Sequence, residues 1–196
     1  MSTRRHSSVA TAALVLGMVL LTFPILSTTS GAANSHLSTP RTLVSLVVAG
    51  PAGFKSAAVN PTTGRRTGEI NIAEARSAGC DATTLSAAQW VGSVQRYFEH
   101  DTSRPQAVLI LCVTQLRSAS DAVAIRSRLL TAIGTSVVTL QDIPGAYLHA
   151  SGTSEEIFFA KGDYFVRVTS TDPVGSAMAL TLGQNLARRE YVRLPA

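Results

Sequence analysis

Few residues in this chain combine the type and spacing that catalysis needs. His100 is followed directly by Asp101, and His149 lies in a short apolar segment with Tyr147. Either imidazole could act as a general base toward a hydroxyl or a water, given a Ser or Asp brought near by the fold. That defines one functional reading, a secreted hydrolase using His100 or His149. Its surroundings lend little to it: there is no GxSxG, and so no strained nucleophile turn, and no HExxH, GxGxxG or GxxxxGK[ST]. Glu155 and Glu156 could pair for acid–base work, but at the start of a strand they read as solvated side chains. No catalytic residue, metal ligand or cofactor is assigned from the sequence.

The two cysteines, Cys80 and Cys112, admit several chemistries. Cys112 is centred in an apolar run, where thiolate formation is disfavoured, which speaks against a cysteine nucleophile. Zinc would need a CxxC or a nearby His pair, and neither is present. A Cys80–Cys112 disulfide is the expectation for an exported chain. It would close a loop of roughly 30 residues and contribute ~3 kcal/mol, mainly by restricting the unfolded chain. Two buried free thiols are the alternative.

The compartment is written at the N-terminus. Arg4 and Arg5 precede an uncharged apolar run from Val9 to Leu26, and small residues from Ser27 to Ala33 follow. That order is a secretory signal, with cleavage expected after Ala32 and Ala33 as the next choice. The run is longer than the ~7–15 residues usual for a signal and near the ~20 of a spanning helix, so a retained anchor is the alternative. In that case Arg4 and Arg5 stay inside and the rest of the chain lies outside. No cysteine near the run could carry a lipid. The resulting organisation is a signal or anchor over residues 1–32, a linker over 33–42 and an extracytoplasmic domain over 43–196.

Charge narrows the partners. Two of the 17 basic side chains belong to the export segment, which leaves an excess of three over the 12 acidic ones. The remaining arginines are spread along the chain without a concentrated patch of interleaved aromatics, so no nucleic-acid partner is expected.

The elements that must position these residues follow from periodicity and turn chemistry. Residues 43–48 form an apolar run that predicts a short strand ended by Gly50-Pro51. Asn71 with Glu74 is a capping box, predicting a helix over 72–78. Residues 86–99 fit either element, and a short helix near 88 that yields to a strand over 92–99 is favoured. Asp101 to Pro105 reads as a hairpin loop. Residues 107–113 are apolar without alternation, so both faces are covered and this is the central strand. Ser118 and Asp121 cap a helix whose apolar stripe is Ala122, Ile125, Leu129 and Ile133, stopped by Gly134. Strands are expected over 136–140 and 146–150. Residues 156–160 and 163–169 flank Lys161-Gly162 as a hairpin. A last helix spans roughly 175–189, with Arg188 and Arg189 near its C-terminus, where cations offset the helix dipole.

Aromatic mass concentrates on the hairpin. Phe158-Phe159 faces Tyr164-Phe165, and adjacent residues of a strand point to opposite sides of the sheet. A sheet covered on one side only would expose one row. Phe158, Phe159, Tyr164 and Phe165 are therefore the candidate binding surface, for an envelope protein or an apolar ligand.

The run from Phe158 to Val168, followed by a small-residue helix with Gly183-Gln184 and Ala187-Arg188-Arg189, resembles uncharacterised cell-envelope domains of actinobacteria. The likeness covers residues 90–190 and is loosely similar to the Mog1/PsbP group. It implies a sheet packed on helices, and brings no active site with it. Many of those domains are lipoproteins; this chain lacks the cysteine that would be lipidated.

The fold class expected is α+β, a mostly antiparallel sheet packed against helices in a single domain. The functional expectation is an exported, non-enzymatic binding or accessory domain, with the hydrolase as its rival.

Overall fold

A computed structural model describes residues 42–60, 64, 66–77, 80, 85–100, 107–173 and 178–196. The signal or anchor expected over 1–32, most of the 33–42 linker and the loop expected over 101–105 lie outside these residues. Among the described residues no helix is long and apolar enough to cross a membrane.

The chain opens with one helical turn, α1 (Leu43–Leu46), followed by β1 (Phe54–Ala57) and β2 (Gly68–Ile70). The strand expected over 43–48 is thus a helical turn followed by extended chain. The backbone N–H and the hydroxyl of Ser45 both donate to the Thr42 carbonyl oxygen, which closes the turn locally. Leu46, Val47 and Val48 are buried in a side-chain core rather than paired in the sheet. An apolar run buried by packing satisfies either element, so its composition alone could not choose.

The capping box forms as its residues require. Asn71 Oδ1 accepts from the Glu74 N–H at 2.9 Å and Glu74 Oε2 accepts from the Asn71 N–H at 2.8 Å. It starts α2 (Ile72–Ser77). Over the ambiguous segment, Ser86 to Gln89 make a turn and Trp90–His100 is a long strand, β3. The central strand is β4 (Val108–Leu116). Ser118 accepts from the Asp121 N–H to cap α3 (Ala119–Ile133), which buries Ala122, Ile125 and Leu129. Then come β5 (Val137–Leu140), β6 (Ala146–Ser151), β7 (Ser154–Lys161) and β8 (Tyr164–Thr171). Gly162, with φ of 53°, makes the tight β7–β8 turn. The last helix is α4 (Met178–Arg193). It runs past the expected end at residue 189, which places Arg188 and Arg189 inside the helix.

Among the described residues the strands form one antiparallel sheet of eight, in the order β1-β3-β4-β8-β7-β6-β5, with β2 also paired to β3. Leu111 of β4 lies opposite Arg96 of β3 and Val168 of β8, so β4 is flanked on both edges. One core gathers Val94, Phe98, Leu111, Val113, Ile157, Phe159, Val166 and Val168 with α4 residues Ala179, Leu186 and Ala187 and with Leu194 just past the helix. The other gathers Cys112, Leu116, Phe158 and Phe165 with α3 residues Ala122, Ile125 and Leu129. The alternation of each strand therefore feeds two cores, and the chain is an α+β domain with helices on both faces of its sheet. At Gly183 the approach of α4 to β8 is so close that a Cβ would lie 2.7 Å from Ser170 Oγ, which only glycine avoids.

Candidate functional site

The expected aromatic surface is a core. Phe158, Phe159 and Phe165 are at most 1% exposed and Tyr164 is 7% exposed. Phe158 and Phe165 point into the α3 side, while Phe159 and Tyr164 point into the α4 side. The premise of a sheet with one bare face fails because both faces carry a helix.

The histidines lie far apart in the topology. His100 ends β3, and its ring packs edge-on against Phe54 with centroids 5.1 Å apart. His149 sits on β6 opposite Val137 of the edge strand β5. Ser136 Oγ is 3.2 Å from His149 Nδ1, but that nitrogen is also 3.0 Å from the Ser136 carbonyl oxygen. Donating to the carbonyl makes Nδ1 a donor and removes it as an acceptor for the hydroxyl proton. Glu156, opposite His149 on β7, is held by Arg167 Nη2 at 2.5 Å. The Ser136–His149 contact is exposed, and among the described residues no carboxylate orients this imidazole.

Cys80 and Cys112 are joined, with Cα atoms 5.4 Å apart and both residues buried. The bridge ties the segment after α2 to the middle of the central strand. Among the described residues no cluster of His, Cys, Asp and Glu could hold a metal ion.

Two concavities among the described residues bear on binding. One, of about 280 Å³, lies at the start of β3 between Leu43, Glu69, Trp90 and Gln115, over Gly92. Its polar groups are largely committed: Trp90 Nε1 donates to Ser93 Oγ at 2.9 Å, and Gln115 Nε2 donates to Asp163 Oδ2 at 2.9 Å.

The other is a groove of about 410 Å³ between Val48 and the C-terminal half of α4, lined by Arg188, Arg189, Val192 and Arg193. It is built by helical spacing. Positions 179, 183, 186, 187 and 190 carry the buried face of α4, which leaves 188, 189, 192 and 193 on the outside. Val192 is 80% exposed, the most exposed of the large apolar side chains described. Arg188 is matched by Asp142 of the β5–β6 turn and donates to Asn185 Oδ1 at 2.8 Å. Arg193 Nη2 donates to the Ser45 carbonyl oxygen at 2.6 Å, which ties α4 to the start of the domain. Among the described residues Arg189 and Arg193 form no ion pair.

Behind the groove sits a group that sequence reasoning missed. Glu190 has no exposed surface, and its Oε2 accepts the Val48 N–H at 2.9 Å. Its Oε1 is buried without a hydrogen-bond partner among the described residues. Burial pushes its carboxyl up to about 7, against the opposing pull of the Val48 N–H and of Arg193, Arg96 and Arg189. The signal was available in the spacing: carrying the stripe of Leu186 one turn onward lands on Glu190. An expected helix end at residue 189 hid it.

The groove therefore offers positive charge beside an exposed aliphatic side chain, backed by a carboxyl whose charge changes near neutral pH. An anion with an apolar neighbour would be complementary to that arrangement. Comparison with protein-family models, with curated proteins and with solved structures returns no match to this chain.

Proposed function

We propose that this chain is an exported, non-enzymatic binding domain, and that its working surface is the groove between Val48 and α4. Its partner is anionic and meets Arg189 and Arg193 while an apolar part covers Val192. The observation that carries this is the 80% exposure of Val192 among Arg188, Arg189 and Arg193. A lone exposed valine means little, but one ringed by arginines in a concave surface is the composition of a polar-rimmed contact.

Export is supported by the Arg4–Ala33 pattern and by the Cys80–Cys112 bridge, since disulfides persist in oxidising compartments. The groove replaces the aromatic row of the sheet as the contact surface, because that row is buried.

The test is placement of charge at constant net charge. Arg189→Glu and Arg117→Glu each change the charge equally, and both side chains are exposed. Binding to dextran sulfate, a soluble polyanion, is measured by titration at low salt. Arg189→Glu should weaken it several-fold and Arg117→Glu far less. Equal weakening by the two would mean that overall charge, not the groove, does the binding.

A further inference from the structure

We infer that the anionic partner of the α4 groove is the headgroup layer of a membrane rich in acidic lipids. The inference rests on the docking reading above and adds the partner to it.

Position is the first argument. Arg193 is bonded to Ser45 and the groove is walled by Val48, so this surface adjoins the point where the described chain begins at Thr42. Upstream, the apolar run ends at Leu26, and residues 27–41 lie between. A stretch of that length can extend no more than about 50 Å. Where the run stays uncleaved in a bilayer, that length alone ties Thr42, beside the groove, to within about 50 Å of the surface.

Chemistry is the second. An acidic bilayer presents phosphates at high density above an apolar layer, and each Lys or Arg near such a surface strengthens binding about fivefold. Arg189 and Arg193 supply the charge. Val192, one position before Arg193 and three after Arg189, supplies an aliphatic side chain at the same level. Lys161 adds a cation at the same end of α4, where its Nζ donates to the Tyr191 carbonyl oxygen at 2.7 Å. Arg188 contributes less, because Asp142 already matches it.

The experiment uses the full chain, incorporated into vesicles of phosphatidylcholine alone or of equal parts phosphatidylcholine and phosphatidylglycerol. Backbone hydrogen exchange is read over residues 43–50 and 186–193. Protection there should be several-fold greater with phosphatidylglycerol, should fall at high salt, and should be lost in the Arg189→Glu/Arg193→Glu double variant but kept in Arg117→Glu. Identical exchange in the two vesicle types overturns the inference. If exchange is identical but dextran sulfate still binds through Arg189, the groove stands and the membrane is the wrong partner. If neither responds, both readings fall.

Discussion

The two faces of the sheet are closed by different means. On the α3 side, the Cys80–Cys112 bridge, Phe158, Phe165 and the stripe Ala122, Ile125 and Leu129 make a core with a covalent clasp. On the α4 side, the larger core of Phe98, Leu111, Phe159 and Leu186 closes over an ionisable group, Glu190, fully out of solvent. Burying a carboxyl with one oxygen unbonded costs stability that an apolar residue would not. The face that bears this cost also carries the exposed Val192, with Arg189 and Arg193, which form no ion pair among the described residues. The α3 face is closed by a covalent clasp, and the α4 face holds the exposed charge and apolar surface on which the proposed docking rests.

That contrast can be broken by substitution. Phe158→Ala and Phe159→Ala remove equally buried rings from opposite faces, and each should cost about 3–5 kcal/mol in chemical denaturation. A cost under about 1 kcal/mol for either would mean that its face is not closed. Replacing both cysteines by alanine should cost ~3 kcal/mol, and reductant should add nothing further to that variant. Losing the bridge should leave dextran sulfate binding unchanged under conditions where the variant is folded, because the clasp and the groove lie on opposite faces.

Glu190→Gln sharpens the other side. The folded carboxyl is raised to about 7 from an ordinary 4.5, so between those values the folded chain holds a proton that the unfolded chain has lost. The resulting stability is fully present below about pH 4.5 and is lost as pH rises through about 7. Glutamine keeps an acceptor for the Val48 N–H without the charge. The variant should therefore be more stable than wild type at pH 8, by up to a few kcal/mol, and flatter between pH 5 and 8 in thermal melts. Parallel curves for the two proteins would show that Glu190 does not titrate in this range. The same protonation removes the negative charge behind Arg96, Arg189 and Arg193, so wild-type binding to dextran sulfate should tighten from pH 8 to 6 more than that of Glu190→Gln.

The smallest effect is expected on the α3 side. Ser136→Ala removes a hydroxyl from an exposed pair whose imidazole still has the Ser136 carbonyl oxygen, and should change stability by no more than about 0.5 kcal/mol. Loss of a measurable ester hydrolysis on this substitution would instead revive the histidine-based reading.

Local chemistry made much of the fold legible. Asn71 with Glu74, Ser118 with Asp121 and Gly162 in its hairpin each satisfy backbone groups within a few residues, so their meaning does not depend on distant parts of the chain. The unbroken apolar run of β4 likewise carries its own statement of double burial. What failed depended on tertiary context. Residues 43–48 are apolar enough for a strand, but the place beside β3 is taken by β1 and β2. The aromatic hairpin alternates between faces as expected, yet whether a face is bare depends on where α3 and α4 land. Glu190 was illegible once the helix was ended at 189, because an acidic residue beyond a helix reads as solvent-facing. Only its position on the stripe of Leu186 and Leu194 turns it inward.

The proposed docking puts the working face on the α4 side. It is tested most directly by following the backbone amide resonances of the protein as dextran sulfate is added. Shifts should concentrate in residues 45–50 and 186–193, with Arg189, Val192 and Arg193 among the largest, and little change along α3 or around His149. Shifts centred on α3, on Ser136 and His149, or on the Gly92 pocket would contradict it.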